Sequence, residues 1–331
     1  MTDRNFYIGI DVGSVSSNFI LMDDDNNIIE KIYLKTLGKP IEVIQEGLER
    51  LRTAKNIKTI TGVGTTGSGR LLAGTIVGAD IVKNEITAHA IAGLLTNPDV
   101  QTIIEIGGQD SKIIIIRNGI VVDFAMNTVC AAGTGSFLDR QANRLDIPIW
   151  EFGKLALKST TKVRIAGRCA VFAESDMVHK QQMGYKYEDI IWGLCRALVR
   201  NYLNNVAKGK DIKGPILFQG GVAANEGIKA AFEDHLKCEV KVPKYFDVMG
   251  AYGAAILAKE KTKRSAAATN FYGFGNVCEG NYDSSSFECN GCSNSCEVIE
   301  IKYDGKVLSR WGDKCGKWSA IDLSSKESIT I

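Results

Sequence analysis

The sequence lacks three features that would each define a functional class. It has no apolar run close to the ~18 residues that a membrane helix needs. It has no marked basic excess, because 40 Lys and Arg face 38 Asp and Glu, whereas dedicated nucleic-acid binders usually carry one. It has no G-x-x-x-x-G-K-[ST] segment, which excludes a P-loop enzyme. We therefore expect neither a membrane nor a nucleic-acid partner.

Proline is also scarce, with 5 residues against 34 glycines, which indicates many tight turns and close backbone approaches. The 331 residues, 45% of them hydrophobic, suggest about two domains with a small appendage. Residues 1–5 lead directly into a predicted strand without a signal peptide, so we expect a cytoplasmic protein. In a reducing compartment, nine cysteines are better explained by metal binding or redox chemistry than by disulfides.

A unit of strand, Gly-rich turn and returning strand occurs twice. Residues 6–11 form the first predicted strand, which ends in Asp11, and residues 100–105 form its counterpart, which ends in Glu105. Each turn is followed by two further predicted strands in an antiparallel meander. The repetition predicts two similar halves facing each other.

The Gly-rich turns have the composition of phosphate-binding loops. Glycines let backbone N–H groups approach a phosphate, and an acid at a strand end can hold Mg²⁺ through water. A third such turn follows the predicted strand 215–219, where a base or ribose could lie against the backbone. The candidate nucleotide-binding residues are Gly13, Ser14, Ser16, Gly107, Gly108, Gln109, Gly220, Gly221, Val222 and Asn225.

A competing motif lies between the two units. Residues 62–67 match G-x-G-x-x-G, and Asp80 follows at close to the spacing of a ribose-binding acid. A dinucleotide-binding fold is therefore an alternative, although it explains neither the repeated turns nor the cysteines.

The three turns resemble the phosphate and adenosine motifs of the acetate and sugar kinase, Hsp70 and actin ATPase superfamily. The similar segments are Asp11–Ser14, Glu105–Asp110 and Gln219–Val222, and the resemblance spans about residues 6–262. It implies an α/β fold of two ribonuclease-H-like halves with ATP and Mg²⁺ in the cleft between them. The expected domains are 1–98, completed by helix 249–262, then 99–248, and a linker with a Cys-rich module in 263–331.

Two internal cysteines each precede a predicted helix. Cys130 comes before the predicted helix 131–145 and Cys169 before 170–182. A helix N-terminus stabilises thiolates, but a [4Fe–4S] cluster needs four of them, so a symmetric dimer would have to supply two from each subunit. On spacing alone, a pair of buried and inert cysteines is the simpler interpretation.

The segments around these cysteines resemble the activators of 2-hydroxyacyl-CoA dehydratases and the ATPase subunits of benzoyl-CoA reductases. Residues 127–135 and 167–176 carry the resemblance, with 64–70 and 83–90 in support. It implies a homodimer of anaerobic metabolism that holds one [4Fe–4S] cluster through Cys130 and Cys169. ATP hydrolysis would drive electrons from ferredoxin or flavodoxin to a partner iron–sulfur dehydratase or reductase, including one of double-cubane type.

The same resemblance suggests roles for four acids. Asp11 and Asp110 would organise Mg²⁺ and the phosphates, and Glu105 or Glu85 would orient the attacking water, although a buried salt bridge is an equal alternative for Glu85. Two other functions stay open: a small-molecule kinase of the same fold, and a nucleotide-gated regulatory protein without a cluster.

The C-terminal region has its own cysteine pattern, C-x2-C-x3-C at Cys289, Cys292 and Cys296. A predicted hairpin over 298–311 would return the chain so that Cys315 lies beside them. The four could form a zinc site of ribbon type or hold a second iron–sulfur cluster, with Cys278 as a spare or alternative ligand. This tail departs from the pattern of the shorter activators.

The remaining cysteines and the histidines have no such pattern. We interpret Cys195 and Cys238 as structural, and His89, His179 and His235 as isolated, hydrogen-bonded residues.

Overall fold

The computed structural model describes residues 5–55, 57, 59–127, 129–265 and 267–319. Positions 1–4, the start of the predicted strand 58–62, position 128 beside Cys130, position 266 of the predicted linker, and 320–331 lie outside the described residues. The chain divides into two compact units: unit 1 takes residues up to 85 and from 250 onward, and unit 2 takes 86–249. Within these ranges, no helix combines the length and the hydropathy needed to span a bilayer.

Unit 1 begins with the predicted antiparallel meander and continues with two parallel strands, in the sheet order β3-β2-β1-β4-β5. Strand β1 is buried over Tyr7–Ile10 because it is a central strand with both faces covered. The elements are β1 (Phe6–Val12), β2 (Ser16–Asp23), β3 (Ile28–Lys35), α1 (Pro40–Lys55), β4 (Gly62–Thr66), α2 (Arg70–Val77) and β5 (Ile81–Val82).

Unit 2 repeats this topology, which confirms the predicted duplication. Its sheet order is β10-β9-β6-β7-β8, so that β6, β7 and β8 correspond to β1, β2 and β3, and β9 corresponds to β4. Its elements are α3 (Glu85–Thr96), β6 (Thr102–Ile106), β7 (Ser111–Arg117), β8 (Ile120–Asn127), α4 (Gly135–Arg144), α5 (Ile149–Ala156), α6 (Ala170–Gln182), α7 (Tyr187–Asn205), β9 (Ile216–Gln219), α8 (Glu226–Leu236) and β10 (Val240–Lys241). Helix α3 packs on one sheet face through Ala90, and α4 to α8 cover the other.

The chain returns to unit 1 through α9 (Met249–Ser265), which packs against β1 and β4. A Cβ atom at Gly9 would lie 1.8 Å from the carbonyl oxygen of Ala251, and one at Gly64 would lie 2.1 Å from that of Ala254. The glycines at 62–64 therefore allow close packing of a helix rather than the binding of a dinucleotide.

Asp80, the candidate ribose ligand, has a structural role instead. Its carboxylate accepts hydrogen bonds from the Val63 amide at 2.8 Å and the Thr269 hydroxyl at 2.7 Å. Because β1 is also paired antiparallel with β2, the dinucleotide-binding alternative is wrong.

A small C-terminal sheet follows, as predicted, but with three strands instead of a two-stranded hairpin. Its elements are α10 (Phe274–Glu279), β11 (Tyr282–Glu288), β12 (Glu297–Tyr303) and β13 (Lys306–Trp311). Val277, Tyr282 and Ile301 join the hydrophobic core of unit 1. The Gln45 amide on α1 donates to the carbonyl oxygens of Val277 and Gly280, at 3.1 and 2.8 Å. The module is therefore an integral part of unit 1.

Candidate functional site

In unit 1, the turn between β1 and β2 is closed by a backbone hydrogen bond and held by a residue that follows β3. The Gly13 amide donates to the Ser16 carbonyl at 2.9 Å, and Ser14 is exposed at the tip. Thr36, directly after β3, donates its hydroxyl to the Gly13 carbonyl and its amide to the Val15 carbonyl, both at 2.8 Å. The predicted residues thus form one rigid turn.

Asp11, at the end of β1, lies against a second turn that follows β4. Gly67 in that turn has φ +94°, and a Cβ atom there would lie 2.5 Å from Asp11 Oδ1 and 2.4 Å from the Val12 carbonyl oxygen. Only glycine tolerates both the backbone conformation and the contact. The acid and two Gly-containing turns therefore come together at one sheet edge.

In unit 2, the corresponding acid is buried and paired. Lys112 Nζ lies 3.0 Å from Glu105 Oε2 and 2.7 Å from Asp110 Oδ2. Burial raises the pKa of Glu105, and the nearby Lys112 and His89 oppose that rise. Glu105 and Lys112 are almost fully buried, whereas the Asp110 side chain is 33% exposed. A fixed cation therefore holds both acids of the second turn.

The β6–β7 turn is held by the start of α4. The Gly107 amide closes the turn on the Asp110 carbonyl at 3.0 Å. The Gly135 amide donates to the Gly107 carbonyl at 2.9 Å. Ser136 donates to the Gly108 carbonyl twice, from its amide at 2.8 Å and from its hydroxyl at 2.6 Å. The predicted helix 131–145 consequently splits into a 3₁₀ turn, Ala131–Gly133, and α4.

The third Gly-rich turn adjoins the same acid. Gly220 has φ +85°, and its Cβ position would lie 2.6 Å from Glu105 Oε1, which makes Gly220 the counterpart of Gly67. Gln219 Oε1 is 2.9 Å from His89 Nδ1, so this isolated histidine has a polar partner as expected. Asn225 Oδ1 accepts from the Ile228 amide at 3.0 Å and caps α8.

The remaining residues predicted to bind nucleotide or to act in catalysis lie in two turns of unit 2 and at the start of α3. Gln109 lies in the β6–β7 turn. Gly221 and Val222 form a 3₁₀ turn after Gly220, and Val222 packs near Gly135. Glu85 is the first residue of α3.

The two internal cysteines lie at the starts of helical segments and share one side-chain contact. Cys130 precedes the 3₁₀ turn and Cys169 is the N-cap residue of α6. The Asn201 side-chain amide donates to the Gly167 carbonyl at 2.7 Å and lies 4.0 Å from Cys130 Sγ. Asn127 accepts from the Cys130 amide at 2.9 Å and donates to its carbonyl at 2.8 Å. Both cysteine loops are thus fixed relative to each other.

The C-terminal cysteines differ in exposure. Cys289 is buried and Cys296 is half-buried, whereas Cys292 and Cys315 are exposed. The Trp318 indole N–H, 3.2 Å from Cys289 Sγ, and the Gly291 amide lower the pKa of Cys289. Among the described residues, His, Cys, Asp and Glu side chains do not gather in groups of three or more that could hold a metal ion.

The remaining cysteines lie elsewhere. Burial raises the pKa of Cys195, inside α7, to about 12, which agrees with a structural role. Cys238 is exposed. Cys278 lies in α10, where burial raises its pKa to about 11.

The sequence does not predict the roles that several residues have in these sites. These residues are Thr36, Gly67, Lys112, Asn127, Ser136 and Asn201. Lys112 had one available signal, the run of four isoleucines that follows it, because such a run marks a strand buried on both faces. Thr36 and Ser136 act through contacts that only the folded chain creates.

Comparison with known proteins identifies the family. Residues 8–258 match the model of the BadF/BadG/BcrA/BcrD ATPase family. The chain is 36% identical over 262 residues to the (R)-2-hydroxyglutaryl-CoA dehydratase activating ATPase of Acidaminococcus fermentans, covering 78% of this chain and 99% of that protein.

Two solved structures agree in fold over the same share of the chain. The crystal structure of component A of the Acidaminococcus fermentans (R)-2-hydroxyglutaryl-CoA dehydratase gives a TM-score of 0.72 at 35% identity, covering 78% of this chain and 99% of that one. The activator of the 2-hydroxyisocaproyl-CoA dehydratase from Clostridium difficile, with bound ADPNP, gives 0.71 at 30% identity, covering 79% and 97%. With its duplicated sheets and Gly-rich turns, the chain belongs to the BadF/BadG/BcrA/BcrD ATPase family and is an ATPase of actin-like fold.

Proposed function

We propose that this ATPase uses ATP hydrolysis to deliver low-potential electrons from a [4Fe–4S] cluster to a partner iron–sulfur enzyme. Relatives named as dehydratase-activating proteins support this proposal. The partner is a 2-hydroxyacyl-CoA dehydratase, a benzoyl-CoA reductase or an enzyme of double-cubane type. Ferredoxin or flavodoxin supplies each electron, and ATP is converted to ADP and phosphate.

Cys130 and Cys169 are suited to hold such a cluster between two copies of the chain. Both thiols are partly exposed and, within the described residues, neither forms a disulfide. A cluster with four cysteine ligands takes two from each copy, and when bound it supplies one-electron chemistry. Val129, Val171 and Phe172 beside them are 94%, 68% and 66% exposed. An exposed apolar patch of this kind is typical of a subunit interface, which supports a homodimer.

The nucleotide chemistry falls to the acids and turns. Asp11 and Asp110 organise Mg²⁺ and the phosphates, since carboxylates are the ligands that Mg²⁺ prefers. Glu105 orients the attacking water, because Lys112 and the adjacent Gly220 hold its carboxylate in one position. Glu85 stays a second candidate for that role. The three Gly-rich turns bind the phosphates and the adenosine.

One observation carries the link between hydrolysis and electron transfer. The amides of Gly135 and Ser136 bind the carbonyls of Gly107 and Gly108 in the phosphate turn. The same segment begins at Cys130, five residues before Gly135. Movement of the turn on loss of the terminal phosphate therefore pulls on the segment that carries the cysteine.

The test combines three measurements on protein purified without oxygen. We expect about two irons and two sulfides per chain, MgATP hydrolysis, and ATP-dependent reduction of an electron acceptor. Cys130→Ser should lose the iron and the electron delivery but keep MgATP binding. Cys238→Ser, at an exposed cysteine of the same unit, is the matched control.

Protein without iron from a strictly anaerobic preparation would overturn the proposal. If ADP release then depended on a small-molecule acceptor, the kinase alternative would take its place.

A further inference from the structure

The four cysteines of the C-terminal module lie in the segments that adjoin the strands at one edge of its sheet. Cys289 comes directly after β11 and Cys296 directly before β12, and their loop is closed by a 2.8 Å bond from the Cys289 amide to the Cys296 carbonyl. Cys292 lies within that loop. The family match ends at residue 258, and the function proposed above does not use these four thiols.

Cys315 is brought to the same edge by the strand register. Trp311, at the end of β13, pairs with Ile299 near the start of β12. The next residue, Gly312, has φ +108°, and its Cβ position would lie 2.3 Å from the carbonyl oxygen of Glu297. The chain after β13 therefore passes beside Glu297, the residue that follows Cys296, and reaches Cys315 three residues later.

Cys289 is held as a fixed anchor at this edge. Its sulfur accepts the indole N–H of Trp318 at 3.2 Å, and the Trp318 ring packs edge-on against Phe287 with centroids 5.0 Å apart. Cys289 is 7% exposed. Hydrogen bonds that orient a ligand atom from outside are the usual support of a metal site.

We propose that Cys289, Cys292, Cys296 and Cys315 bind one structural Zn²⁺. Four thiolates make a closed tetrahedral site, and the first pair has the C-x2-C spacing of zinc knuckles. The pattern matches neither the C-x2-C-x2-C-x3-C run nor the C-x4-C-x2-C run of iron–sulfur proteins. Cys292 and Cys315 lie on exposed loops, and metal binding draws them onto the anchor at Cys289, so that it couples to local folding.

Cys278 is not part of this site. It precedes β11, whose seven residues span roughly 20 Å, and it packs into the core of unit 1. Cys278 therefore provides a matched control within the same module.

The test is metal analysis of the full chain in a Cys130→Ser/Cys169→Ser background. That background removes the ligands of the proposed bridging cluster, so the result does not depend on the proposed function. We expect about one zinc per chain. The zinc content should fall about tenfold or more in Cys292→Ser and in Cys315→Ser, and it should not change in Cys278→Ser. Trp318→Phe keeps the aromatic ring but removes the N–H, and should weaken zinc affinity roughly tenfold.

Titration with Co²⁺ keeps the test decisive if a serine variant folds poorly. The full chain in that background, with its four C-terminal cysteines intact, should develop the thiolate-to-cobalt absorption of a four-cysteine site. Added Zn²⁺ should displace the Co²⁺ and abolish this absorption. Iron and sulfide in the background variant, lost in Cys315→Ser, would overturn the zinc assignment in favour of a cluster. Failure to take up either Zn²⁺ or Co²⁺ would overturn the site itself.

Discussion

The two copies of the duplicated hairpin share a topology but differ in what faces the acid. Asp11 on β1 is opposite Asn18 on β2, whereas Glu105 on β6 is opposite Lys112 on β7. The cross-strand neighbour of the first acid is thus a neutral amide, and that of the second is a buried cation. In the proposed function Asp11 organises Mg²⁺, and the pairing with Lys112 fixes the position of Glu105.

The support of the turn differs in a second way. In unit 1, Thr36 holds the turn directly after the third strand. In unit 2, the chain leaves the equivalent third strand, passes Cys130, and only then supplies Gly135 and Ser136 as the support. Duplication has kept the phosphate turn in both halves, but it has joined a cysteine to only one of them.

Substituting the two acids should have the largest effect and should separate their roles. Asp11→Asn should lower the kcat of ATP hydrolysis roughly 10²–10³-fold and raise the Mg²⁺ concentration for half-maximal rate. Glu105→Gln should lower kcat roughly 10²–10⁴-fold and leave the Mg²⁺ requirement unchanged. Steady-state assays over a range of Mg²⁺ measure both. Equal shifts in Mg²⁺ requirement would show that the acids share one role.

Removing the buried cation should destabilise unit 2. Lys112→Met leaves Glu105 buried without its partner, and we expect the free energy of unfolding to fall by about 3–5 kcal/mol. The counterpart in unit 1, Asn18→Leu, should cost about 1 kcal/mol or less, since the buried Asn18 Oδ1 has no hydrogen-bond partner in the described part of the chain. Urea unfolding measures both. Equal losses would contradict the contrast between the hairpins.

The buried acid also predicts a pH dependence. The pKa of Glu105 is raised by burial from its ordinary value of 4.5, so the folded chain binds a proton at this carboxyl more tightly than the unfolded chain does. Its contribution to stability is present below pH 4.5 and is lost as pH rises through the raised pKa. Each pH unit by which the pKa rises corresponds to about 1.4 kcal/mol in the free energy of unfolding.

The measurement is the difference in unfolding free energy between the unsubstituted chain and Glu105→Gln as a function of pH. Carboxylates with lowered pKa values contribute equally to both chains and cancel. We expect the unsubstituted chain to lose stability relative to the variant as pH rises above 4.5. Parallel curves would show that Glu105 titrates alike in the folded and unfolded chains.

The smallest expected effect concerns the hydroxyls that hold the turns. Ser136→Ala removes the hydroxyl's bond to the Gly108 carbonyl, worth about 1 kcal/mol, and leaves the amide's bond in place. The variant should raise the ATP hydrolysed per electron delivered about fivefold. Thr36→Val removes the bond to the Gly13 carbonyl and should change nucleotide affinity but not that ratio. If Thr36→Val raises the ratio as much as Ser136→Ala does, the link to the cysteines is not specific to unit 2.

Much of the fold could be predicted because its signals are local. The buried acid at a strand end, the glycines after it and the apolar strands before and behind it occur within a few residues. The start of α6 after Cys169 was predicted for the same reason. Strand β11 was missed because its segment, with three consecutive serines, has few apolar residues and pairs only through β12.

The site residues that escaped prediction act over longer distances. Lys112 looks like an ordinary surface lysine until the sheet is covered on both faces, and Asn201 meets the Gly167 carbonyl only when α7 packs beneath the loop. The Gly62–Gly67 motif misled for a related reason, because the helix that needs the small residues lies far along the chain. The proposed bridging cluster also requires a second copy, whose placement one sequence does not encode locally.

The central claim is that the phosphate turn of unit 2 controls the surroundings of Cys130. The most direct measurement is the reduction potential of the anaerobic protein with MgADP and with MgADPNP, for the unsubstituted chain and for Ser136→Ala. We predict that the two nucleotides give different potentials in the unsubstituted chain, by about 60 mV for a one-electron couple, and that the difference shrinks in the variant. Identical potentials with both nucleotides in the unsubstituted chain would contradict the account.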